Sequence, residues 1–269
     1  MESSSEMPKR PGLFPGVDLA KLPWWAIVLL LAGLSLSILI ITNGNYNDTF
    51  MFLKAGVITT LRITFFSFLI ATTLGLMTGL ARVSKNPILF NISTLYVETV
   101  RGIPLVVLLL YIAFALVPLF IEVLASIGVT LSIRDVPMEA RAIVALAVGY
   151  GAYEGEVFRA GIQSIGRGQM EAARALGLNY AQSMRYVILP QAVRRVLPPL
   201  GNDFISLLKD SSLATVLAVD ELTQLGRIRR ASTFRVLETF NVVAFLYLVM
   251  TLLLSSGVRW LEEKMKIAE

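Results

Sequence analysis

Glu98, Arg101, Glu154, Glu156, Arg159, Asp203, Lys209 and Asp210, with Asn202 beside them, lie within or against strongly apolar stretches of this sequence. An ionisable group at membrane depth is costly and is kept where it faces a cavity, a partner or an opposite charge. Two chemistries fit the pattern. Glu98 with Arg101, and Glu156 with Arg159, are three residues apart and can neutralise each other on one helix face. Alternatively, Arg101, Glu154, Glu156, Asn202 and Asp203 line a path for a polar solute. Catalysis fits less well. The chain has no Cys and no His, which removes thiolate metal sites, cysteine nucleophiles and the usual general base. Ser206 with Lys209 is a conceivable nucleophile pair, but such neighbours occur readily by chance. No GxxxxGK[ST] loop is present, so ATP, if it is used, binds another subunit.

The elements that hold these groups must be membrane helices. Of the 269 residues, 55% are hydrophobic and 16% charged, where a soluble domain carries about a quarter charged. Mean hydropathy is +0.70. The net charge of +5 is assigned to loops on the cytoplasmic face rather than to nucleic-acid binding.

A bilayer crossing takes roughly 20 apolar residues. Residues 24–41, opened by the Trp24-Trp25 pair, supply the first. The run is longer than a signal-peptide core and no A-x-A site follows, so it reads as a retained anchor helix. Further spans fall near 63–80, 105–124, 142–162, 197–219 and 240–254, the fourth and fifth interrupted by charges. The expectation is an all-α membrane protein of about six transmembrane helices, with five as the alternative.

Basic residues set the orientation. Lys9, Arg10, Lys21, Arg82, Lys85, Arg167, Arg174, Arg185, Arg194, Arg195, Lys264 and Lys266 all fall on one side, placing both termini in the cytoplasm. Arg134, Arg141, Arg227, Arg229, Arg230 and Arg235 fall on the other side and conflict with that assignment. Arg62 is expected near an interface with its stem snorkelling toward water. Pro104 and Pro198-Pro199 are expected to start or kink helices.

The most informative stretch is 168–190, GQMEAARALGLNYAQSMRYVILP. Strong helix formers predict a short helix over 169–176, stopped at Gly177 by a left-handed turn. Asn179 with Gln182 predicts a capping box opening a second helix. Tyr180, Met184, Val187 and Ile188 form its apolar stripe, and Pro190 marks the next break. Ala172, Ala173 and Ala175 permit close approach by a partner surface, although the knob can equally pack on its own chain.

Glu171-Ala172-Ala173, Gly177, Val187 and Leu189-Pro190 resemble the EAA motif of ABC importer permeases, with Val187 in place of Ile. More of the chain is similar to the polar amino acid branch of that family, the histidine, glutamine and glutamate permeases. Gly56 to Leu61 matches the opening of a span. Arg101-Gly102-Ile103-Pro104 resembles RGTP. Ala152-Tyr153, Glu156, Arg159 and Gly161-Ile162 resemble AYxAExxRxGI, with Gly155 for Ala. Residues 208–213 resemble LKDTSL, with Ser211 for Thr, and Glu221-Leu222-Thr223 follows.

The resemblance implies a type I ABC importer transmembrane domain over 49–262, a five-helix core with the coupling loop at 168–190. The helix at 24–42 is then an addition, and 1–23 and 263–269 are cytoplasmic tails. It implies two ATPase subunits carrying ATP and Mg, a second permease, an extracytoplasmic amino-acid-binding protein and an inner-membrane location, with no cofactor on this chain. Glu171, Ala172, Ala173, Gly177, Leu189 and Pro190 become the ATPase-coupling residues, with Glu171 alternatively a helix stabiliser in a first turn. For an amino acid, Arg101 would meet the carboxylate and Glu156 or Asp203 the ammonium. The alternative function is an ion-coupled secondary transporter, for which the internal repeat usual in that class is lacking.

Overall fold

The computed structural model describes residues 24–265, and all the regular elements among them are helical. The tail expected at 1–23, and residues 266–269 of the tail expected at 263–269, lie outside the described residues.

Helix α1 (Trp24–Thr42) is apolar around its whole circumference and buries little. Only Asn43 separates it from α2 (Gly44–Val83); its side chain caps α2 by accepting from the Asn45 amide at 3.0 Å. Residues 44–50, which lie between the expected spans at 24–41 and 63–80, are therefore the first turns of α2. At 40 residues α2 is about 60 Å long, twice the roughly 30 Å hydrocarbon core.

Helix α3 (Pro87–Arg101) occupies a stretch that hydropathy leaves as a loop, capped by Asn86 with Pro87 in the first turn. After a break at Gly102–Pro104, α4 (Leu105–Tyr111), a π segment (Ile112–Leu116) and α5 (Val117–Ser126) form one rod. Next come α6 (Met138–Gln163), α7 (Arg167–Ala175), α8 (Tyr180–Ser183), a second π segment (Met184–Ile188) and α9 (Leu189–Asp210). A 3-10 segment (Ser211–Leu217), α10 (Leu222–Thr233) and α11 (Val236–Met265) complete the chain. By length and composition, α1, α2, the α4–α5 rod and α11 qualify as membrane spans. Helices α6 and α9, which carry the candidate charges, do not pass on hydropathy alone. The apolar run at 197–219 is not one helix: α9 stops at Asp210, and Ala218 turns left-handed at φ 54°.

Both π segments have the same cause. Pro118 and Pro190 each follow one by two residues. Proline lacks the amide that would bond one turn back, and the widened ladder shifts the bonding register before it arrives. Pro190 therefore does not break the chain as expected, and helical structure runs on into α9. Pro198 and Pro199 lie inside α9, also without interrupting it.

The core of the bundle is the parallel pair α2 and α6. Gly75 and Gly79 on α2 face Gly155 and Phe158 on α6. A β-carbon on Gly75 would lie 2.7 Å from Glu154 Cβ, and one on Gly79 would lie 2.5 Å from Phe158 Cβ. Small residues at four-residue spacing on both helices let the backbones meet where lipid offers no hydrophobic drive.

Arg141 is not a loop charge. It is 5% exposed and spends its guanidinium on backbone carbonyls, those of Val136 at 3.0 Å, Ala113 at 3.2 Å and Ile133 at 2.6 Å. Ala113 belongs to the first π segment, so Arg141 ties the rod to the start of α6. Arg62 likewise does not snorkel freely; it binds Glu139 through two bonds of 2.5 and 2.6 Å.

Gly79→Leu should destabilise the purified protein by roughly 1–3 kcal/mol through overpacking against α6. Gly33→Leu on α1, where an added β-carbon meets nothing within 4 Å, should leave thermal unfolding in detergent unchanged.

Candidate functional site

At one end of the bundle the chain leaves α6 and builds a knob from α7 and α8. The turn closes as the residue types require: Gly177 has φ +85°, and the Leu178 amide reaches back to the Ala173 carbonyl at 3.2 Å. Asn179 and Gln182 exchange two 2.9 Å bonds as a capping box. Ile188, Met184 and Val187 pack with Ile162 and Ile165 at the end of α6 and with Met170 of α7. Tyr180, expected in the same stripe, is exposed. Ala173 faces inward and is buried, whereas Glu171, Ala172, Gly177 and Pro190 are exposed and Leu189 is half-buried. Leu176, at the tip, is 85% exposed, an apolar side chain presented on an otherwise polar turn.

Behind the knob the charges form a network different from the expected one. Glu156 does pair with Arg159, which also donates to Gln163 at 2.9 Å. Glu98 does not pair with Arg101. Its partner is Arg82, at 3.2 Å, and Arg82 also holds Glu156 at 2.8 Å. Three helices are thus joined by one guanidinium, only 10% exposed. Arg101 instead lies over the ring of Tyr153, 5.3 Å from its centroid, and remains exposed.

Deeper in the bundle, Glu154 is fully buried on α6 against Gly75 of α2, with the Thr72 hydroxyl close by but no well-formed hydrogen bond to either carboxylate oxygen. Asp203 on α9 is near enough for its charge to act on Glu154, and its Oδ2 is also without a partner. Asp210 is satisfied by the Tyr150 hydroxyl at 2.7 Å. Asn202 and Lys209 are exposed. The proposed path residues therefore separate into a buried Glu154 with a half-buried Asp203 near it, an ion-paired Glu156, and two accessible groups, Arg101 and Asn202.

At the opposite end, Glu221 is buried and caps α10, accepting from the amides of Thr223 at 2.8 Å and Gln224 at 2.7 Å and from the Tyr247 hydroxyl at 2.9 Å. Thr60 accepts from the Leu222 amide at 3.2 Å, and a β-carbon on Gly56 would lie 2.8 Å from Leu222 Cα. Arg229 of the conflicting basic group lies over Phe52, 5.5 Å from the ring centroid.

Residues 71–267 match the family described as binding-protein-dependent transport system inner membrane component. The chain belongs to this family. Among similar proteins, the glutamine transport system permease protein GlnP of Escherichia coli (strain K12) is 42% identical over 72% of this chain and 84% of its own length. The "Probable glutamine ABC transporter permease protein GlnP" of Bacillus subtilis (strain 168) is 37% identical over 78% and 92%. Among solved structures, a chain in the crystal structure of an amino acid ABC transporter with histidines superimposes with a TM-score of 0.68 at 36% identity, covering 81% of this chain and 95% of that one.

Membership fixes the architecture as an all-α, multi-pass type I ABC importer permease. The knob and the buried carboxylates fall within the matched range, whereas α1 lies outside it. Sequence reasoning missed Arg82 as the hub of the charge network, because its partners are far away in sequence. It also missed the facing glycines, although Gly75-xxx-Gly79 and Gly151-xxx-Gly155 carry a readable small-residue spacing.

Arg82→Met should cost roughly 1–3 kcal/mol of stability, since it leaves Glu156 and Glu98 without their shared donor. Glu98→Gln, at a carboxylate 65% exposed, should stay within about 1 kcal/mol. Thermal unfolding of the two purified variants separates them.

Proposed function

We propose that this chain is the permease subunit of an ATP-driven importer of polar amino acids. In this reading the α7–α8 knob is the cytoplasmic element on which a separate ATPase, carrying ATP and Mg, docks. The observation that carries it is the knob itself: Glu171, Ala172, Gly177 and the apolar tip Leu176 are turned outward while Ala173 and Ile188 anchor them to the bundle. A rigid projection exposing a large apolar side chain is what a partner's cleft needs.

Two permease chains, identical or homologous, would form the pathway above two ATPase subunits. Closure of the ATPases would draw the knobs together and reverse the side to which the pathway opens, a two-state element biased by a partner. An extracytoplasmic binding protein would deliver the amino acid to the far mouth. Both termini are cytoplasmic in this orientation. Arg101 and Asn202 are the accessible groups suited to bind substrate. Glu154, fully buried, becomes available only if the helices part, whereas Asp203 is half-buried.

The complex, reconstituted in liposomes with its binding protein, should take up glutamine-class amino acids only when ATP is supplied to the ATPase side. Gly177→Val forces a β-branched residue into a left-handed turn and should weaken ATPase retention on co-purification by about tenfold, roughly 1.4 kcal/mol. Gly177→Asn, which tolerates that conformation, should retain it. Uptake that follows an ion gradient and ignores ATP would sink the reading.

Arg101→Gln and Asn202→Ala should each raise the apparent KM for uptake about fivefold or more, the loss of roughly one hydrogen bond to a charged group. Unchanged KM in both variants would remove these residues from the path.

A further inference from the structure

A cavity of about 930 Å³ opens between α2, α9 and α11, its Thr72 close to the buried Glu154. Its walls are almost entirely carbon, with Phe68, Phe204, Leu253 and Gly257 among them, and Thr72 is the one uncharged polar side chain. Along these walls a polar amino acid would find only Thr72 to replace its water. One end is different: Arg194 and Arg195 stand at the mouth with Glu262. Two cations against one carboxylate leave that mouth net positive. Arg195 gives one N–H to the Ser164 carbonyl at 2.5 Å, while Arg194 makes no ion pair among the described residues.

The dimensions identify the occupant. From Arg194 to Phe204, α9 rises about 15 Å, the depth of a single leaflet in a hydrocarbon core of roughly 30 Å. The arginines belong to the first turns of α9, next to the knob, and so lie on the face proposed to be cytoplasmic. A slot one leaflet deep, apolar along its length and cationic at its headgroup end, matches one lipid chain with a phosphate above it. Basic pockets between helices on that face are recognised headgroup sites.

We propose that this crevice binds an anionic phospholipid of the cytoplasmic leaflet, one acyl chain between α9 and α11 and the phosphate on Arg194 and Arg195. The site shares none of the residues of the proposed substrate path, although its Thr72 adjoins Glu154, and concerns how the bilayer stabilises or tunes the α9–α11 pair. It would stand if the transported solute proved different, because it needs only the assigned orientation.

The test is native mass spectrometry of the detergent-purified permease with its ATPase. Phosphatidylglycerol and phosphatidylcholine with identical chains are supplied in equal amounts. The wild type should retain phosphatidylglycerol about fivefold over phosphatidylcholine, the effect of one surface arginine. Arg194→Gln should weaken that preference, and Arg194→Gln with Arg195→Gln should bring the two lipids to parity. Gly257→Leu should reduce retention of both with the complex intact, because an added β-carbon there meets nothing within 4 Å and the side chain fills the slot. Equal retention by the wild type, or a Gly257→Leu variant that holds lipid as before, would overturn the proposal. So would Gly257→Cys, the sole thiol in an otherwise cysteine-free chain, cross-linking in membranes to a second permease chain.

Discussion

The close approach of α2 to α6 is the contact on which the rest of this structure depends. Within a bilayer, apolar side chains gain little by leaving lipid for one another, so association rests on packing and on hydrogen bonds. Glycines at Gly75, Gly79 and Gly155 let the two backbones meet with almost no side chain between them. That contact sets the depth of Glu154, lying against Gly75, and brings Arg82 into reach of Glu156. Moving the helices apart by the width of a methyl group would disturb both.

The polar interactions are graded along the bundle. Beside the knob, Arg82, Glu98, Glu156 and Arg159 satisfy one another across three helices. At the other end, Glu221 and Thr60 bind amides and bolt α10 onto α2. Between them lie Glu154 and the Oδ2 of Asp203, without partners. A buried polar group without a partner is costly; single nitrogens, Arg82 Nε and Arg229 Nε, lack one toward the two ends, whereas at Glu154 both carboxylate oxygens do.

The stretches that resemble family motifs come together in pairs. Gly56 and Thr60 meet Leu222; Arg101 meets Tyr153; Tyr150 meets Asp210. Each pair joins segments distant in sequence at one helix–helix contact. Much of the motif content is therefore explained by assembly of the bundle, and exposed members such as Arg101, Lys209 and the outer face of the knob are free to meet a ligand or partner.

The sequence by itself determined the class of protein, the apolar spans and the local design of the knob. Hydropathy, the Gly177 turn and the Asn179–Gln182 cap all act over a few residues, and the structure places them where their types require. What hydropathy alone could not reveal were α3 and α10, whose charges and small residues mask helices held in place by their neighbours. Nor could it reveal which acid each arginine would choose. Glu98 had Arg101 one turn away and took Arg82, and Arg141 took three carbonyls from a rod and a loop. Partners so far apart in the chain are chosen by how the helices pack, and tertiary structure alone decides that.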